Sequence, residues 1–487
     1  MDCGASDRVN PSRQRAIDYH NQAVAIVQRD PQLAYRLLCS SVTVDPAFAA
    51  GWFMLGNSLA DLKMLPGSIS SFRRCLSCPE GEGPGELSRQ LKAKALVNLG
   101  HRLVNNGQIN EAEIASQAAL DYLEENPDLE QCGRAFASTN MSLVLSIKGD
   151  TTASLEYAKE AYEMSQEPII ETGLAFAYLF AGDYANGLKH FEARIPYNLP
   201  QMMDYPWPRW DGDKVDTLFV AADQGIGDTL SFARFVRRAA ARVEKLIFQV
   251  QPEILGMMTD AFKFTGYETT PTGIIEVVPQ SHEIPQADAW CPIVSLPVSL
   301  GVTTEEIKWQ SQEWVAHSPA RPITPGWKST IAKLHIGIAY GGSPQNEIDR
   351  WRSIPVEQFL ELYRVPGVQL YSLQVGDRTK DLHAAGCAAL IRDMSPWIKS
   401  ASDTVSIMRD LDLIITIESF VGHLAGALGK ECWVPLSLRG GDWRCGRSGD
   451  RPIWYPNTRL FRQGEDGEWG PVFERIVEGL NKKVSSC

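Results

Sequence analysis

The sequence predicts a helical repeat array followed by two α/β domains with parallel sheets, and three observations support this fold class. Helical spacing recurs from about residue 14 to residue 195 without a convincing strand pattern. Beyond residue 213, short apolar segments alternate with helical segments, as they do in doubly wound parallel sheets. A stretch rich in proline and tryptophan separates the two regions. We therefore expect an α-solenoid first and the α/β part second.

Chain length and net charge limit the number of domains and the classes of function that the protein can have. The chain has 487 residues, enough for about three domains of roughly 100–200 residues each. Its formal net charge is −12 at pH 7. Because binding to a phosphate backbone needs a basic surface that releases counterions, this balance argues against a general nucleic-acid-binding protein.

Hydropathy predicts where the protein resides. Residues 1–14 are polar and lack the apolar stretch of a secretory signal. No window of the chain approaches the ~18 apolar residues that a membrane helix requires. We expect a cytoplasmic protein without a membrane span.

Cysteine spacing gives little indication of a metal site. Among ten cysteines, only Cys75 and Cys78 form a C-x-x-C pair. A zinc site would need a second such pair or histidines at ligand spacing, and neither is found in the sequence. The pair is either two thiols at a helix end or a metal or redox pair, and we predict no bound metal.

A unit of helix, turn and helix recurs in the first region, and its clearest copy begins at Asp45. Its matching positions are Trp52, Leu55, Gly56 and Leu59 in the first helix and Ile69 and Phe72 in the second. This is the W-x2-L-G-x2-Y type of spacing that is typical of a tetratricopeptide repeat (TPR). Further copies include Leu96, Leu99, Gly100 and Leu103, then a turn at Gly149, then Leu174, Ala177 and Tyr178 with a turn at Gly182. We assign residues 1–195 to this array, with helices over 16–27 and 34–44 as an atypical cap.

Small residues at Gly56, Gly100 and Ala177 are expected to let paired helices approach closely, so that stacked repeats bury one continuous core. Two roles remain open for the array. It either presents a concave surface to a peptide or protein, or it only supports the domains that follow.

The connector covers residues 196–213 and contains the run Pro206-Trp-Pro-Arg-Trp. Prolines prevent a continuous helix there, and the tryptophans can wedge between domains, so we expect a rigid connection. A Pro-rich segment at Ser318 to Gly326 then divides the α/β part into residues 214–318 and 327–487. Predicted strands cover 217–222, 246–250, 274–278, 335–340, 368–373, 413–417 and 432–436.

A glycine-rich turn, Gln224-Gly225-Ile-Gly227-Asp228, follows the first predicted strand and precedes a helix. Its glycines permit a tight turn and a close backbone approach, and Asp228 can project into a cleft. The turn fails as a dinucleotide fingerprint because Leu230 occupies the place of the third glycine. Taken alone, the turn favours Asp228 as a helix N-cap over a functional carboxylate.

Six segments of the α/β part occur in an order seen in a known enzyme group. They are GIGDTLSFARF (225–235), IGIAYGGSP (336–344), DRWRSIP (349–355), YSLQ (371–374), DLIITIESFVGHLAGALG (412–429) and WYPNTRLFRQ (454–463). This set resembles glycosyltransferases related to the bacterial heptosyltransferases, a family 9-like group with the GT-B fold, many of which carry a TPR array. The resemblance spans about residues 196–480.

The resemblance implies a GT-B module of two Rossmann-like domains and an inverting, metal-independent sugar transfer. The first domain is expected to face the acceptor, with Asp228 as general base and Gln224, Gly225 and Gly227 in its loop. The second domain is expected to bind the donor, a nucleotide-diphosphate sugar, without any further cofactor. Its implied donor-site residues are Gly341, Gly342, Ser343, Arg350, Arg352, Gln374, Glu418, Ser419, Gly422 and His423.

Physical reasoning supports some of these positions independently. Free backbone N–H groups at a helix start after Ser419 can meet a diphosphate without a metal. Arg350 and Arg352 can form bidentate contacts with phosphate, or they can be a surface pair bonded to local acids. His423 is either a ligand contact or a packing histidine.

The sequence also departs from the family pattern. Glu418-Ser419 replaces the usual acid followed by Thr, and a bulky Phe420 follows. Tyr340 stands for a common Trp, and Ser343 stands for the usual Asn. These changes leave donor binding plausible, but they put the preference for sugar or nucleotide in doubt.

Three functions follow as alternatives. The favoured one is transfer of a sugar to a protein that the array captures, since a solenoid of about 180 residues is a costly addition for an enzyme that needs only a sugar acceptor. The second is a heptosyltransferase-like enzyme with a lipopolysaccharide or other glycan acceptor. The third is a non-catalytic TPR scaffold with a degenerate transferase module.

Overall fold

The structure is a computed structural model that describes residues 10–81, 83, 86–199, 202, 204–263, 273–281, 284–309, 326–346, 348–439 and 441–485. The chain folds as two compact units, Met1–Ala177 and Tyr178–Cys487. The first unit is helical, and the second contains both parallel sheets. The predicted Pro-rich division at Ser318 to Gly326 lies outside the described residues except for Gly326.

TPR-like helical repeats form the N-terminal part. The helices are α1 (Pro11–Ile26), α2 (Pro31–Val44), α3 (Ala49–Asp61), α4 (Leu65–Leu76), α5 (Arg89–Asn105), α6 (Ile109–Glu125), α7 (Arg134–Lys148), α8 (Thr151–Met164), α9 (Pro168–Phe180), α10 (Tyr184–His190) and α11 (Arg194–Asn198). The first eight pack as four consecutive hairpins. The first helices of neighbouring hairpins also contact one another, from α1 through α7. This arrangement agrees with the repeat spacing of the sequence.

Close approach within the hairpins depends on the small residues that the sequence indicates. A Cβ at Gly56 would lie 2.9 Å from the Phe72 ring, and one at Gly100 would lie 2.9 Å from Ser116 Oγ. The turn of the fourth hairpin uses Gly149 at φ 91°, a left-handed conformation that glycine adopts without steric cost. Apolar side chains buried between the helices form several clusters, and each cluster joins residues of neighbouring hairpins.

The first α/β half is a four-stranded parallel sheet. Its elements are β1 (Val215–Ala221), α12 (Ile226–Phe232), α13 (Val236–Ala240), β2 (Val243–Val250), α14 (Leu255–Lys263), β3 (Ile274–Pro279), β4 (Ala289–Pro292), α15 (Leu296–Ser299) and α16 (Thr304–Trp309). The strand order is β3-β2-β1-β4, and every pairing is parallel. Strand β1 is apolar and buried along its second half, as expected for a central strand.

The second α/β half is a six-stranded parallel sheet of order β10-β9-β8-β5-β6-β7. Its elements are β5 (Leu334–Ala339), α17 (Asp349–Arg352), β6 (Val368–Ser372), α18 (Thr379–Ala384), β7 (Arg392–Asp393), α19 (Ala401–Asp410), β8 (Leu413–Thr416), α20 (Phe420–Ala427), β9 (Cys432–Leu436), β10 (Thr458–Arg462) and α21 (Gly470–Ser485). One apolar cluster includes residues of both halves, such as Leu230, Leu424 and Trp454, and α12 packs directly on α20.

The predicted connector attaches to the first sheet. Trp290 in β4 exchanges backbone hydrogen bonds with it, donating to Pro208 O at 3.1 Å and accepting from Trp210 N at 2.8 Å. Trp210 is 3% exposed and lies in the core, while Trp207 packs on Phe219. Both tryptophans therefore pack against the first α/β half. Across the described part of the chain, every helix is too short or too polar to cross a bilayer.

Candidate functional site

The two sheets each have one point where the strand order reverses, and ligands of open α/β sheets bind in the crevice outside the carboxyl ends there. In the first sheet this point lies between β1 and β4, and in the second between β5 and β8. The loops after β1, β5 and β8 contain most of the predicted site residues. The geometry at these loops decides which residues come together.

At the first of these points, side chains of the protein fill the crevice. Arg194 is fully buried and donates to Asp223 Oδ2 from Nη2 at 2.7 Å. Asp223 Oδ1 accepts from Val294 N at 3.2 Å, and Ser295 Oγ accepts from Arg194 at 3.1 Å. A buried ion pair with additional hydrogen bonds holds these loops together. This crevice is structural.

Asp228 lies in the first turn of α12 and faces the second half. Its Oδ1 accepts from Arg444 Nη2 at 2.7 Å, and its side chain is 32% exposed. Arg444 is 5% exposed and is packed among the rings of Phe232, Trp443 and Trp454. A second carboxylate, Asp442, binds Arg444 Nη1 at 2.8 Å, so one guanidinium orients two acids. Asp228 is the most exposed of these three side chains, since Asp442 is 20% exposed.

Beside this ion pair, a cluster of three side chains joins α12 to the second half. His423 Nδ1 lies 3.0 Å from both Ser231 Oγ and Tyr455 Oη, and these two hydroxyl oxygens are 2.9 Å apart. Burial, together with the charge of Arg444, lowers the pKa of His423 to about 4. The imidazole is therefore neutral at pH 7 and packs against Gly227, where a Cβ would lie 2.6 Å from His423 Cδ2.

Glu418 lies two residues after the end of β8 and is hydrogen-bonded to Asp442. Its Oε1 accepts the backbone N–H of Asp442, while its Oε2 is buried without a hydrogen-bond partner among the described residues. Arg352 Nη1 donates to the Glu418 carbonyl at 2.8 Å. Burial, with the neighbouring charge of Asp442, raises the pKa of Glu418 to about 8. At pH 7 the side chain is therefore mostly a neutral acid that can donate a hydrogen bond.

The glycine-rich turn after β5 is held by side chains beneath it. Gln374 Oε1 accepts from Gly341 N at 3.0 Å, and its Nε2 donates to Gly341 O at 3.1 Å. Gly342 N donates to Ser353 Oγ at 3.2 Å, and a Cβ at Gly342 would lie 2.3 Å from Asp349 Oδ1. Asp349 is 2% exposed and binds the guanidinium groups of Arg352 and Arg378. The turn is thus close-packed and preformed.

The other predicted residues divide between the site and its surroundings. Ser419 is the N-cap position of α20, and its hydroxyl lies 3.1 Å from Thr416 Oγ1. Gly422 lies in the first turn of the same helix. Ser343 is exposed and donates to Gln345, while the exposed Arg350 stacks on Trp351. Gln224 and Gly225 lie in the loop before α12, where the Gln224 carbonyl accepts from Gln251 at 2.9 Å.

A continuous set of contacts therefore links the two α/β halves, from Asp349 through Arg352, Glu418 and Asp442 to Arg444 and Asp228. In the sequence, the run Asp442-Trp-Arg444 is consistent with a lining of the cleft and at least as consistent with a structural loop, and no pattern assigns Ser231 or Tyr455 to the site. The WYPN segment contains Tyr455, so that signal is present in the sequence.

The described residues contain no group of three or more His, Cys, Asp or Glu side chains that could hold a metal ion. Cys75 and Cys78 are buried at the end of α4, where Cys78 Sγ lies 3.3 Å from Arg74 O.

No protein-family model matches the chain, and no curated protein sequence matches it. Solved structures similar to part of the chain include MamA from Desulfovibrio magneticus RS-1, which is 18% identical, with a TM-score of 0.29, and covers 39% of this chain and 98% of its own. YrrB, described as a TPR protein with an unusual peptide-binding site, is 17% identical over 39% of this chain and 88% of its own, with a TM-score of 0.28. A thermophilic TPR protein of Thermus thermophilus is 15% identical over 39% of this chain and 94% of its own, with a TM-score of 0.29.

Proposed function

We propose that the chain is an inverting, metal-independent glycosyltransferase that moves a sugar from a nucleotide-diphosphate donor to an acceptor hydroxyl on a protein bound by the helical array. One observation carries the proposal. A solvent-accessible carboxylate of the first α/β half, Asp228, lies at the carboxyl ends of both sheets, 2.7 Å from the buried Arg444 of the second half. In the proposed GT-B arrangement, the reacting groups meet at this junction.

The donor is proposed to bind at the β5–β8 switch point. The first turn of α20 offers backbone N–H groups there, and Arg352 adds a guanidinium on the same edge. An ionised Glu418 would repel the negatively charged diphosphate of the donor. Because its pKa is raised to about 8, it is mostly protonated at pH 7. A neutral carboxyl group at this position does not repel the diphosphate.

In the proposed reaction, Asp228 accepts the proton of the acceptor hydroxyl as that oxygen attacks the anomeric carbon. The bond between the anomeric carbon and the diphosphate oxygen breaks, and the nucleoside diphosphate leaves with the bonding electron pair. The α20 terminus and Arg352 stabilise the leaving charge. Arg444 holds the Asp228 carboxylate in a fixed orientation, and the exposed part of that carboxylate remains accessible to the acceptor hydroxyl.

Asp228→Asn tests this role. Gly225 and not Asp228 is the N-cap residue of α12, so the substitution removes no helix cap. Asparagine still accepts a hydrogen bond from Arg444, and Asp442 still balances the charge of that guanidinium, so we expect only a small change in melting temperature. Transfer should fall by about 10²–10⁴-fold, because the amide cannot take up the proton. The control is Asp216→Asn, an exposed carboxylate in β1 of the same half. Turnover of Asp228→Asn within a few-fold of the wild-type protein would remove Asp228 from the mechanism.

A thermal-shift screen over UDP, GDP, ADP, CDP and TDP, with and without a chelator, tests the donor site. Binding of one of them stabilises the folded protein, and the rise in melting temperature grows with the excess of ligand over Kd. We expect one base to be preferred and the chelator to have no effect.

The second candidate is a non-catalytic TPR scaffold, and one observation favours it. Asp228, Asp442, Glu418 and Arg444 are engaged with one another rather than left open. If no nucleoside diphosphate raises the melting temperature and no donor sugar is hydrolysed, the scaffold is the correct function. A glycan acceptor would be indicated if transfer persisted without the array.

A further inference from the structure

A buried carboxylate beneath the glycine-rich turn after β5 binds two arginines. Asp349 Oδ1 accepts from Arg352 Nε at 3.4 Å, and Asp349 Oδ2 accepts from Arg378 Nη2 at 2.5 Å. Ser353 Oγ also donates to Asp349 Oδ1, at 3.0 Å. Arg352 ends α17 and Arg378 directly precedes α18, so the carboxylate joins the loops that follow β5 and β6. We call Arg352 and Arg378 the arginine pair.

The two glycines of the turn lie against the arginine pair. A Cβ at Gly341 would lie 3.1 Å from Arg378 Cδ, and a Cβ at Gly342 would lie 2.4 Å from Arg352 Nη2. The backbone N–H groups of both glycines already donate to side chains of the protein, so they are not free to bind a phosphate. Because glycine has no Cβ, the turn can pass close to both guanidinium groups.

The charges of this group do not balance. Asp349 carries one negative charge and the arginine pair carries two positive charges, because a guanidinium group stays protonated in proteins. Asp381 Oδ2 lies 3.4 Å from Arg378 Nη1, but its side chain is 46% exposed, and exposed pairs of this kind contribute little. Glu418 is mostly neutral at pH 7, since burial raises its pKa to about 8. Within the described part of the chain, about one positive charge of the arginine pair is therefore not neutralised by a buried carboxylate.

Exposure places the negative charge inside and the positive charges outside. The Asp349 side chain is 3% exposed, whereas the side chains of Arg352 and Arg378 are 15% and 31% exposed. An anion that approaches this edge of the sheet therefore meets guanidinium groups before it meets the carboxylate. Because the carboxylate already holds both guanidinium groups in place, little side-chain freedom is lost when they bind.

The arrangement favours a diphosphate over a single phosphate. A guanidinium group can bind phosphate oxygens through two parallel N–H groups. Two such groups on one carboxylate lie close together, and the two phosphate groups of a diphosphate are covalently joined, so one ligand can engage both arginines. A single phosphate offers fewer oxygens for the same two groups.

We propose that Arg378 and Arg352 together bind a diphosphate group, and that Gly341 and Gly342 make room for these arginines rather than offer backbone N–H groups to the ligand. Arg378 thereby receives a binding role that no sequence pattern indicates. The inference rests on the proposed function only where it identifies this diphosphate with that of a nucleotide-sugar donor. Free pyrophosphate has the same chemistry and requires no nucleotide site.

Calorimetric titration of the full-length protein with inorganic pyrophosphate and with inorganic phosphate tests the inference. The wild-type protein should bind pyrophosphate more tightly than phosphate. Arg378→Gln should raise the Kd for pyrophosphate by about 10- to 100-fold, because a charge-assisted hydrogen bond is lost. The Kd for phosphate should change less, since a single phosphate group can remain on Arg352.

Two further variants control for charge and for folding. Lys380→Gln removes one positive charge from the same region, but Lys380 is 80% exposed and pairs with Asp377, so pyrophosphate affinity should stay at the wild-type value. Arg378→Lys keeps a positive charge beside Asp349 and lacks the two parallel N–H groups. It should fold like the wild-type protein and bind pyrophosphate with an affinity between those of the wild-type protein and Arg378→Gln. Melting temperatures establish that each variant is folded.

Gly341→Ala tests the role assigned to the glycines. The backbone of Gly341 does not have a positive φ, so alanine can adopt it. Alanine keeps the N–H group, but its Cβ displaces Arg378. We expect weaker pyrophosphate binding in Gly341→Ala and no further loss when this change is added to Arg378→Gln. Wild-type affinity in Gly341→Ala would contradict this role.

The outcomes separate this inference from the proposed function. Failure of the wild-type protein to bind pyrophosphate, an unchanged Kd in Arg378→Gln, or an equal loss in Lys380→Gln would overturn the inference. Pyrophosphate binding that depends on Arg378, without binding of any nucleoside diphosphate, would leave the inference standing and defeat the proposed donor site. Nucleoside diphosphate binding that is unchanged in Arg378→Gln would leave the proposed donor site standing and defeat the inference.

Discussion

At the scale of single residues, folding raises the pKa of the Glu418 carboxyl group, and this change links protein stability to pH. It lies between Asp442 and Arg352 at the end of β8, and burial is the largest cause of its raised pKa of about 8. An unfolded chain would ionise this carboxyl near its ordinary pKa of about 4.3. The folded protein therefore binds a proton that the unfolded chain releases over the intervening pH range.

This difference predicts a pH dependence. A folded-state pKa above the unfolded value contributes stability that is complete below the unfolded pKa and is lost as pH rises through the folded one. The free energy of unfolding should thus fall between about pH 4.5 and pH 8 because of Glu418. Glu418→Gln keeps the acceptor for Asp442 N–H and cannot ionise, so urea denaturation across this range should show a flatter profile. Parallel profiles for the two proteins would contradict the assignment.

At the scale of elements, the contact between α12 and α20 joins the two α/β halves and depends on one glycine. Gly227 and Gly225 lie two residues apart, but their surroundings differ. A Cβ at Gly227 would lie 2.6 Å from His423 Cδ2, whereas a Cβ at Gly225 meets only Asp228 Oδ2 at 3.5 Å. The φ of Gly225 is −65°, which any residue adopts.

We predict that Gly227→Ala and Gly225→Ala differ sharply. The first forces His423 away from Ser231 and Tyr455 or separates the helices, and overpacking of this kind costs about 1–3 kcal/mol. The second should change the free energy of unfolding by less than about 0.5 kcal/mol. Urea denaturation of both variants gives the comparison. Equal stability would mean that the two helices are not tightly packed at this position.

The elements also set the limit of what the sequence can predict. The sequence predicts the bounds of the long repeat helices within a few residues, because the same pattern of apolar and small residues recurs in them. It predicts the bounds of strands such as β1 and β5 equally well, because these strands contain apolar segments. Strands β4, β7 and β10 are not predicted. They have four, two and five residues. Strand β7 is too short to show any period, and the run Thr-Arg-Leu-Phe-Arg of β10 is neither a continuous apolar segment nor a strict alternation. Their place is set by pairing with strands distant in the chain.

In the candidate site, too, some features follow from residues that are neighbours in the sequence, and others depend on residues that are far apart in it. The turn at Asp228 and the helix start at Ser419 follow from local glycine and capping patterns. The approach of Arg444 to Asp228 joins residues 216 positions apart, and the aromatic packing around Arg444 cannot be read from spacing. Motif order indicates that these segments belong together, but it does not indicate which side chains touch.

At the scale of the whole molecule, the structure divides the chain after Ala177, whereas the sequence predicts that the array ends at residue 195. Residues between the two boundaries contact the α/β part closely. Tyr184 is 2% exposed and packs on Trp443 and Trp454. Arg194 pairs with Asp223 at 2.7 Å, and Glu192 Oε1 accepts from Ser295 Oγ at 2.6 Å.

Two fragments should therefore behave differently. A fragment of residues 178–487 keeps Tyr184 and Arg194, and we expect it to fold and to bind the same nucleoside diphosphate as the whole chain, if one binds. A fragment of residues 196–487 leaves Asp223 buried without its partner, which costs about 3–5 kcal/mol, and it exposes the apolar surface under Tyr184. Because a whole domain is stable by only about 5–15 kcal/mol, the shorter fragment should be largely unfolded or should lose most of its stability.

Urea denaturation followed by tryptophan fluorescence measures both fragments, and Arg194→Met in the longer one separates the ion pair from the lost packing. Equal denaturation midpoints for the two fragments would show that residues 178–195 contribute nothing to the α/β part.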